Sequence, residues 1–152
     1  MKTILVSMMS LGMLLTVACA QPQQPNVMEN PEVGAIKTVI QQFSKAGDQR
    51  DVAALKNLLH ENYRVIFNRA FGSDAMQIMD KATYVQLIEA GKIGGDQRKV
   101  EIVSVDVEEH IASVKVIQTS EKAIFRSYMI LAKDANQQWK LVSDTPWAKF
   151  LE

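Results

Sequence analysis

From residue 30 onward the spacing of apolar positions changes from helical to strand-like. Val33, Ile36, Val39, Ile40 and Phe43 recur at three- and four-residue steps, which places them on one face of a helix. Asn30 suits its N-cap, Pro31 its first position and Gly47 its C-terminal end. Val52, Leu55, Leu58 and Leu59 repeat the pattern in a shorter helix that starts at Asp51 and stops near Asn62. Tyr63 to Ala70 is rich in β-branched and aromatic residues and predicts a strand, with Ala75 to Met79 pairing across Gly72-Ser73-Asp74. Asp80 then caps a third helix bearing Tyr84, Leu87 and Ile88, closed at Gly91.

Beyond Gly94-Gly95 the period drops to two. Strands are predicted over 99–107, 111–119, 123–133 and 138–144, with an Asx-type turn at 134–137. Ala112, Val114 and Val116 alternate with Ser113 and Lys115. Phe125, Ser127, Met129 and Leu131 share a face that reads as core, which leaves Arg126 and Tyr128 on the other. Pro146 is expected to end strand pairing, with 147–151 as an apolar tail. Helices first and hairpin-linked strands last predict an α+β fold, the helices covering one face of an antiparallel sheet.

The segment before residue 30 has a different character. Lys2 is followed by an apolar run from Ile4 to Val17 and then Ala18-Cys19-Ala20, the layout of an export signal over residues 1–20. An A-x-A cleavage would leave Gln21 first. Leu15-Thr16-Val17-Ala18-Cys19 also resembles a lipobox, with Cys19 as the lipidation candidate. The expectation is an exported, periplasmic chain, membrane-attached only through a lipid on Cys19. Residues 21–31 read as a Pro- and Gln-rich leader and 32–152 as one domain.

Charge narrows the function classes. Seventeen basic and seventeen acidic residues cancel, and loss of Lys2 leaves about −1. No basic run marks a nucleic-acid surface. Cys19 is the one cysteine, so no disulfide can form within the mature domain. His60 and His110 lack spaced carboxylate partners, and no metal site or cofactor is expected. Gly91-Lys92-Ile93-Gly94-Gly95-Asp96 fits neither phosphate-loop template and reads as a helix cap and tight turn, with Lys92 and Arg98 near a rim. No G-x-S-x-G occurs.

Several segments together resemble the nuclear transport factor 2-like, or cystatin-like, superfamily, nearest its bacterial group described as putative lumazine-binding. They are Phe43 to Leu59 (FSKAGDQRDVAALKNLL), Tyr84 to Ile102 (YVQLIEAGKIGGDQRKVEI), the A-x-V-x-V strand at 112–116, and Tyr128 to Val142 (YMILAKDANQQWKLV). The resemblance spans roughly residues 32–150. It implies a cone: three helices packed on a strongly curved antiparallel sheet, with an apolar cavity at the open end and a homodimer through the sheet's outer face. The fold hosts isomerases and dehydratases as well as non-catalytic binders.

Within such a cone, Tyr63, Phe67, Tyr84, Trp139 and Trp147 are the ligand-pocket candidates. Arg126 and Tyr128 are the interface candidates. Asp144 alternates with Val142 and Lys140, and becomes the candidate base if its face is the inner one. The expected function is an exported, non-catalytic domain binding a small apolar or aromatic molecule. The alternatives are an isomerase- or dehydratase-like enzyme using a pocket carboxylate, and a membrane-displayed protein-interaction module.

Overall fold

A computed structural model describes residues 30–70 and 72–151; the expected export signal, Cys19 and the expected leader up to residue 29 lie outside the described residues. Helix α1 (Pro31–Gln49) begins as its sequence signals say, the Asn30 side chain accepting from the Glu32 N–H. Its end differs from expectation. Gly47 is buried inside the helix, and Arg50 takes the left-handed cap conformation instead. Helix α2 (Val52–Leu58), capped by Asp51, is shorter than its apolar stripe suggested. The chain is already strand at Leu59, so His60 to Asn62 belong to β1 (Leu59–Asn68). Strand β2 (Met76–Asp80) turns back along β1, and Asp80 caps α3 (Lys81–Glu89).

Four long strands follow: β3 (Lys99–Glu108), β4 (Ile111–Thr119), β5 (Ala123–Lys133) and β6 (Trp139–Phe150). The six strands form one sheet in the order β2-β1-β6-β5-β4-β3. It is curved, unclosed and mixed rather than wholly antiparallel, because β1 runs parallel to β6. No hairpin joins that pair. The chain makes β2, α3 and three strands between them, so nothing forces opposite directions.

Pro146 does not end pairing; β6 continues beside β5 to Phe150. The register explains why proline is tolerated there. The β1–β6 pairs stop at Asp144, so beyond it β6 has a free side on which a missing N–H breaks no ladder.

The helices cover one face of the sheet. Ile36, Ile40 and Phe43 of α1, Leu55 of α2 and Val85 and Ile88 of α3 pack on Val114, Val116, Met129, Leu131 and Leu141 in one apolar cluster. Each such side chain contributes roughly 1.5–3 kcal/mol when fully buried. The opposite face leaves Ile111, Tyr128 and Trp147 more than half exposed.

Candidate functional site

Away from the Lys133–Glu32 contact at its edge, the covered face of the sheet is apolar except along one diagonal. Gln118 on β4 pairs with Phe125, two residues before Ser127 on β5. Ser127 pairs with Pro146, two residues beyond Asp144 on β6. Asp144 pairs with Val65, two residues beyond Tyr63 on β1. Residues two apart on a strand share a face. Gln118, Ser127, Asp144 and Tyr63 therefore form a polar stripe, one residue per strand, crossing four neighbouring strands in steps of roughly 7–8 Å. All four are buried.

A bulge puts Asp144 in this stripe. Leu131 pairs with Leu141 but Ile130 pairs with Ser143, so Val142 is an extra residue on β6. Strict alternation would have given Asp144 the face of Lys140 and Val142. The inserted residue turns it inward with Trp139 and Leu141, opposite the fully buried Met129.

Aromatic rings close over the Tyr63 end. Tyr63, Phe43 of α1 and Tyr84 of α3 form a triad with centroids 5.5 to 6.3 Å apart. At the Gln118 end sits Arg98, just before β3. Its Nε donates to Asp48 at 2.5 Å, its Nη2 to the Ser44 carbonyl at 2.9 Å and its Nη1 to Gln118 Oε1 at 3.4 Å. Gln118 donates in turn to the Ser44 hydroxyl. Gly47 makes room for this knot: a Cβ there would lie 2.7 Å from Arg98 Nη2 and 3.9 Å from the Tyr84 hydroxyl.

The two ends of the stripe differ in satisfaction. Tyr63 Oη, Ser127 Oγ and Asp144 Oδ1 are buried without a hydrogen-bond partner. Buried polar groups are nearly always paired, by protein, water or ligand. Burial pushes the Asp144 carboxyl up to about 7, against the pull of the neighbouring Ser127 hydroxyl and the Arg98 charge. Ser127 lies beside the carboxyl but falls short of hydrogen-bond geometry, so that pull is weaker than a formed bond would give. Burial also raises both phenols; the Asp144 charge raises Tyr63 further, while Arg98 opposes the rise at Tyr84.

The structure thus brings together Tyr63, Tyr84 and Asp144 from the sequence candidates. Phe67 stands nearby, on the same face of β1, in an open groove of about 590 Å³ that Gln77, Met79 and Thr83 also line. That groove stops short of Asp144 and Ser127. Trp139 is buried at another end of the sheet, its indole N–H donating to Glu32 at 2.6 Å. Trp147 leaves the pocket set altogether: it lies on the outer face, 52% exposed, with the Arg126 guanidinium 5.1 Å from its ring centroid. Arg126 and Tyr128 are also on that outer face, Lys115 reaching over Tyr128.

Ser127 and Gln118 were visible as polar interruptions of apolar strand faces, although neither was singled out as a site residue. Asp48, in the last turn of α1, is the ion-pair partner of Arg98. The loop after α3 offers its carbonyls, not its N–H groups, to a side chain: Arg50 donates to Gly91, Ile93 and Gly94. His60 accepts from the Asn62 N–H, and among the described residues no cluster of His, Cys, Asp or Glu suits a metal ion.

The family described as "Putative lumazine-binding" matches residues 31–145. The chain belongs to this family. Solved structures show the same fold at low identity. An NTF2-like protein of unknown function from Shewanella baltica superposes with a TM-score of 0.69 at 15% identity, covering 82% of this chain and 98% of that one. A ketosteroid isomerase-like protein from Erwinia carotovora atroseptica gives 0.62 at 15%, covering 81% and 98%. A cystatin-like fold protein from Burkholderia xenovorans gives 0.60 at 16%, covering 81% and 94%. No curated protein matches the sequence. The lumazine-binding-like domain is thus an α+β, NTF2-like fold, and its interior stripe is the place to seek a ligand.

Proposed function

We propose that this family member is an exported domain that binds a small, flat, aromatic molecule inside the cone. The observation that carries the reading is the set of three unpartnered buried groups, Tyr63, Ser127 and Asp144, on one diagonal beside an aromatic triad. Rings supply area and geometry for a planar ligand, and a few placed polar groups orient it. Lumazine, which the family description names, is a flat heterocycle with N–H and carbonyl groups on its edges, and such edges suit this stripe. The export signal motivates a periplasmic location, with a lipid on Cys19 as the route to a membrane. The exposed Tyr128, Trp147 and Ile130 on the outer face suit a homodimer.

The test is native mass spectrometry of protein purified from the exporting cell's periplasm, which reads bound ligand, subunit number and N-terminal lipid together. A retained mass that disappears in Asp144→Asn and Tyr63→Phe is expected. Fluorescence titration with lumazine provides the direct probe. Wild-type protein carrying no ligand and giving no lumazine signal would remove this reading.

A second reading has one observation in its favour. Asp144 combines deep burial, an elevated proton affinity and proximity to a phenol. That is the equipment of an isomerase-like enzyme, in which a carboxylate takes a proton beside a carbonyl while a hydroxyl donates to the enolate oxygen. It predicts turnover of ketone substrates that rises with pH through about 7 and is lost in Asp144→Asn.

A further inference from the structure

We infer that Arg98 is a positioning residue of the interior site, acting on Asp144 through its charge and on the α1 ceiling through its hydrogen bonds. The inference deepens the proposed interior site, since it concerns the same stripe.

The construction around Arg98 is specific. Its backbone N–H and its Nε both donate to Asp48, at 3.0 and 2.5 Å. The two remaining nitrogens reach Ser44 on α1 and Gln118 on β4, so one guanidinium joins a helix to the sheet where the stripe begins. The side chain is only 15% exposed. Space for it depends on Gly47, and the loop leading to it closes where Gly95 N–H donates to the Gly47 carbonyl at 3.1 Å. Gly94 has a φ of 72°, and a Cβ there would meet that same carbonyl at 2.5 Å.

A latch between helix and sheet needs no charge facing inward. This one has it. The Arg98 charge favours the ionised forms of Asp144, Tyr63 and Tyr84, the titratable groups lining the interior from β6, β1 and α3. Asp48, from α1, opposes it at Tyr84. Ser127 on β5 carries no charge. Arg98 and Asp48 therefore share one ion pair, but at Asp144 it is the Arg98 charge that acts.

That difference separates a positioning role from a purely structural one. The Asp144 titration is followed by carboxyl-carbon NMR in ligand-free protein, so the outcome is independent of whether the proposed ligand exists. Arg98→Met should raise the Asp144 midpoint by on the order of half a pH unit, whereas Asp48→Asn, which breaks the ion pair but keeps the Arg98 charge, should leave it near wild type. Arg98→Lys keeps the charge and should leave the midpoint near wild type while loosening Gln118. Both variants of the pair break the same latch, so a structural effect would move the midpoint the same way in each. An upward shift of similar size in Asp48→Asn, or an unmoved midpoint in Arg98→Met, would overturn the inference. If Arg98→Met does not fold, Arg98→Gln decides: an upward shift supports the role, and none rejects it.

Discussion

Two carboxylates meet the helix-covered face of this sheet in opposite circumstances. Glu32, in the first turn of α1, accepts from Lys133 at 2.7 Å and from the Trp139 indole at 2.6 Å. Those bonds, Lys133 first, hold its carboxyl below the usual range. Asp144, in the middle of the same face, has one oxygen with no partner, and burial drives its carboxyl up. The first arrangement fastens the start of α1 to the β5–β6 hairpin. The second stores an unmet demand for a hydrogen-bond partner in the interior. Satisfied polar groups here mark architecture, and unsatisfied ones mark the site.

The strongest way to break this contrast is to neutralise Asp144. Its carboxyl titrates near 7 when folded and near 3.9 when unfolded. Between about pH 4 and 7 the folded chain keeps a proton that the unfolded chain has released, so stability falls across that window and is level above it. Asp144→Asn should abolish the slope. Urea unfolding should show a gain on the order of 3–4 kcal/mol at pH 8 and little at pH 4. Equal stabilities at pH 8 would mean that the carboxylate is solvated, and the contrast with Glu32 would vanish.

The next pair of substitutions sharpens the contrast by sign. Tyr63→Phe removes an unpartnered buried hydroxyl and should stabilise the ligand-free protein by about 1 kcal/mol. Trp139→Phe removes a donor that is in use and should cost about 1 kcal/mol. Thermal unfolding at pH 8 distinguishes the two, and a loss in both would put Tyr63 in the architectural group. The smallest effect belongs to the outer face. Trp147→Ala should change subunit stability by less than about 0.5 kcal/mol. If the outer face is the dimer contact, sedimentation should nonetheless show the variant shifted toward monomer; an unchanged dimer would place the contact elsewhere.

The architecture was legible because its signals are local and repeated. The α1 face, the caps at Asn30, Asp51 and Asp80, and the alternation in β4 and β5 each follow from side-chain period or from a single hydrogen bond. The site was legible only in part. Tyr63 and Tyr84 stood out as large rings with polar ends, and Arg98 as a cation near a rim. The stripe was not, because it exists across four strands and depends on their register, which no single strand records. Asp144 shows the difficulty most clearly: its facing is decided by the extra residue at Val142. Trp147 fails for the related reason that Pro146 was read as a stop, when β6 had a free side there and could continue.

The extra residue in β6 works like a reading-frame change written in orientation instead of codons. Everything after Val142 on that strand is turned over relative to what precedes it. Pairing that one residue into the ladder, in place of the bulge, would exchange tenants: Asp144 would emerge into solvent and Trp147 would be driven toward the interior. A family of chains sharing this fold can therefore gain or lose an interior acid without substituting a single charged residue, according to whether its last strand bulges or pairs at one position.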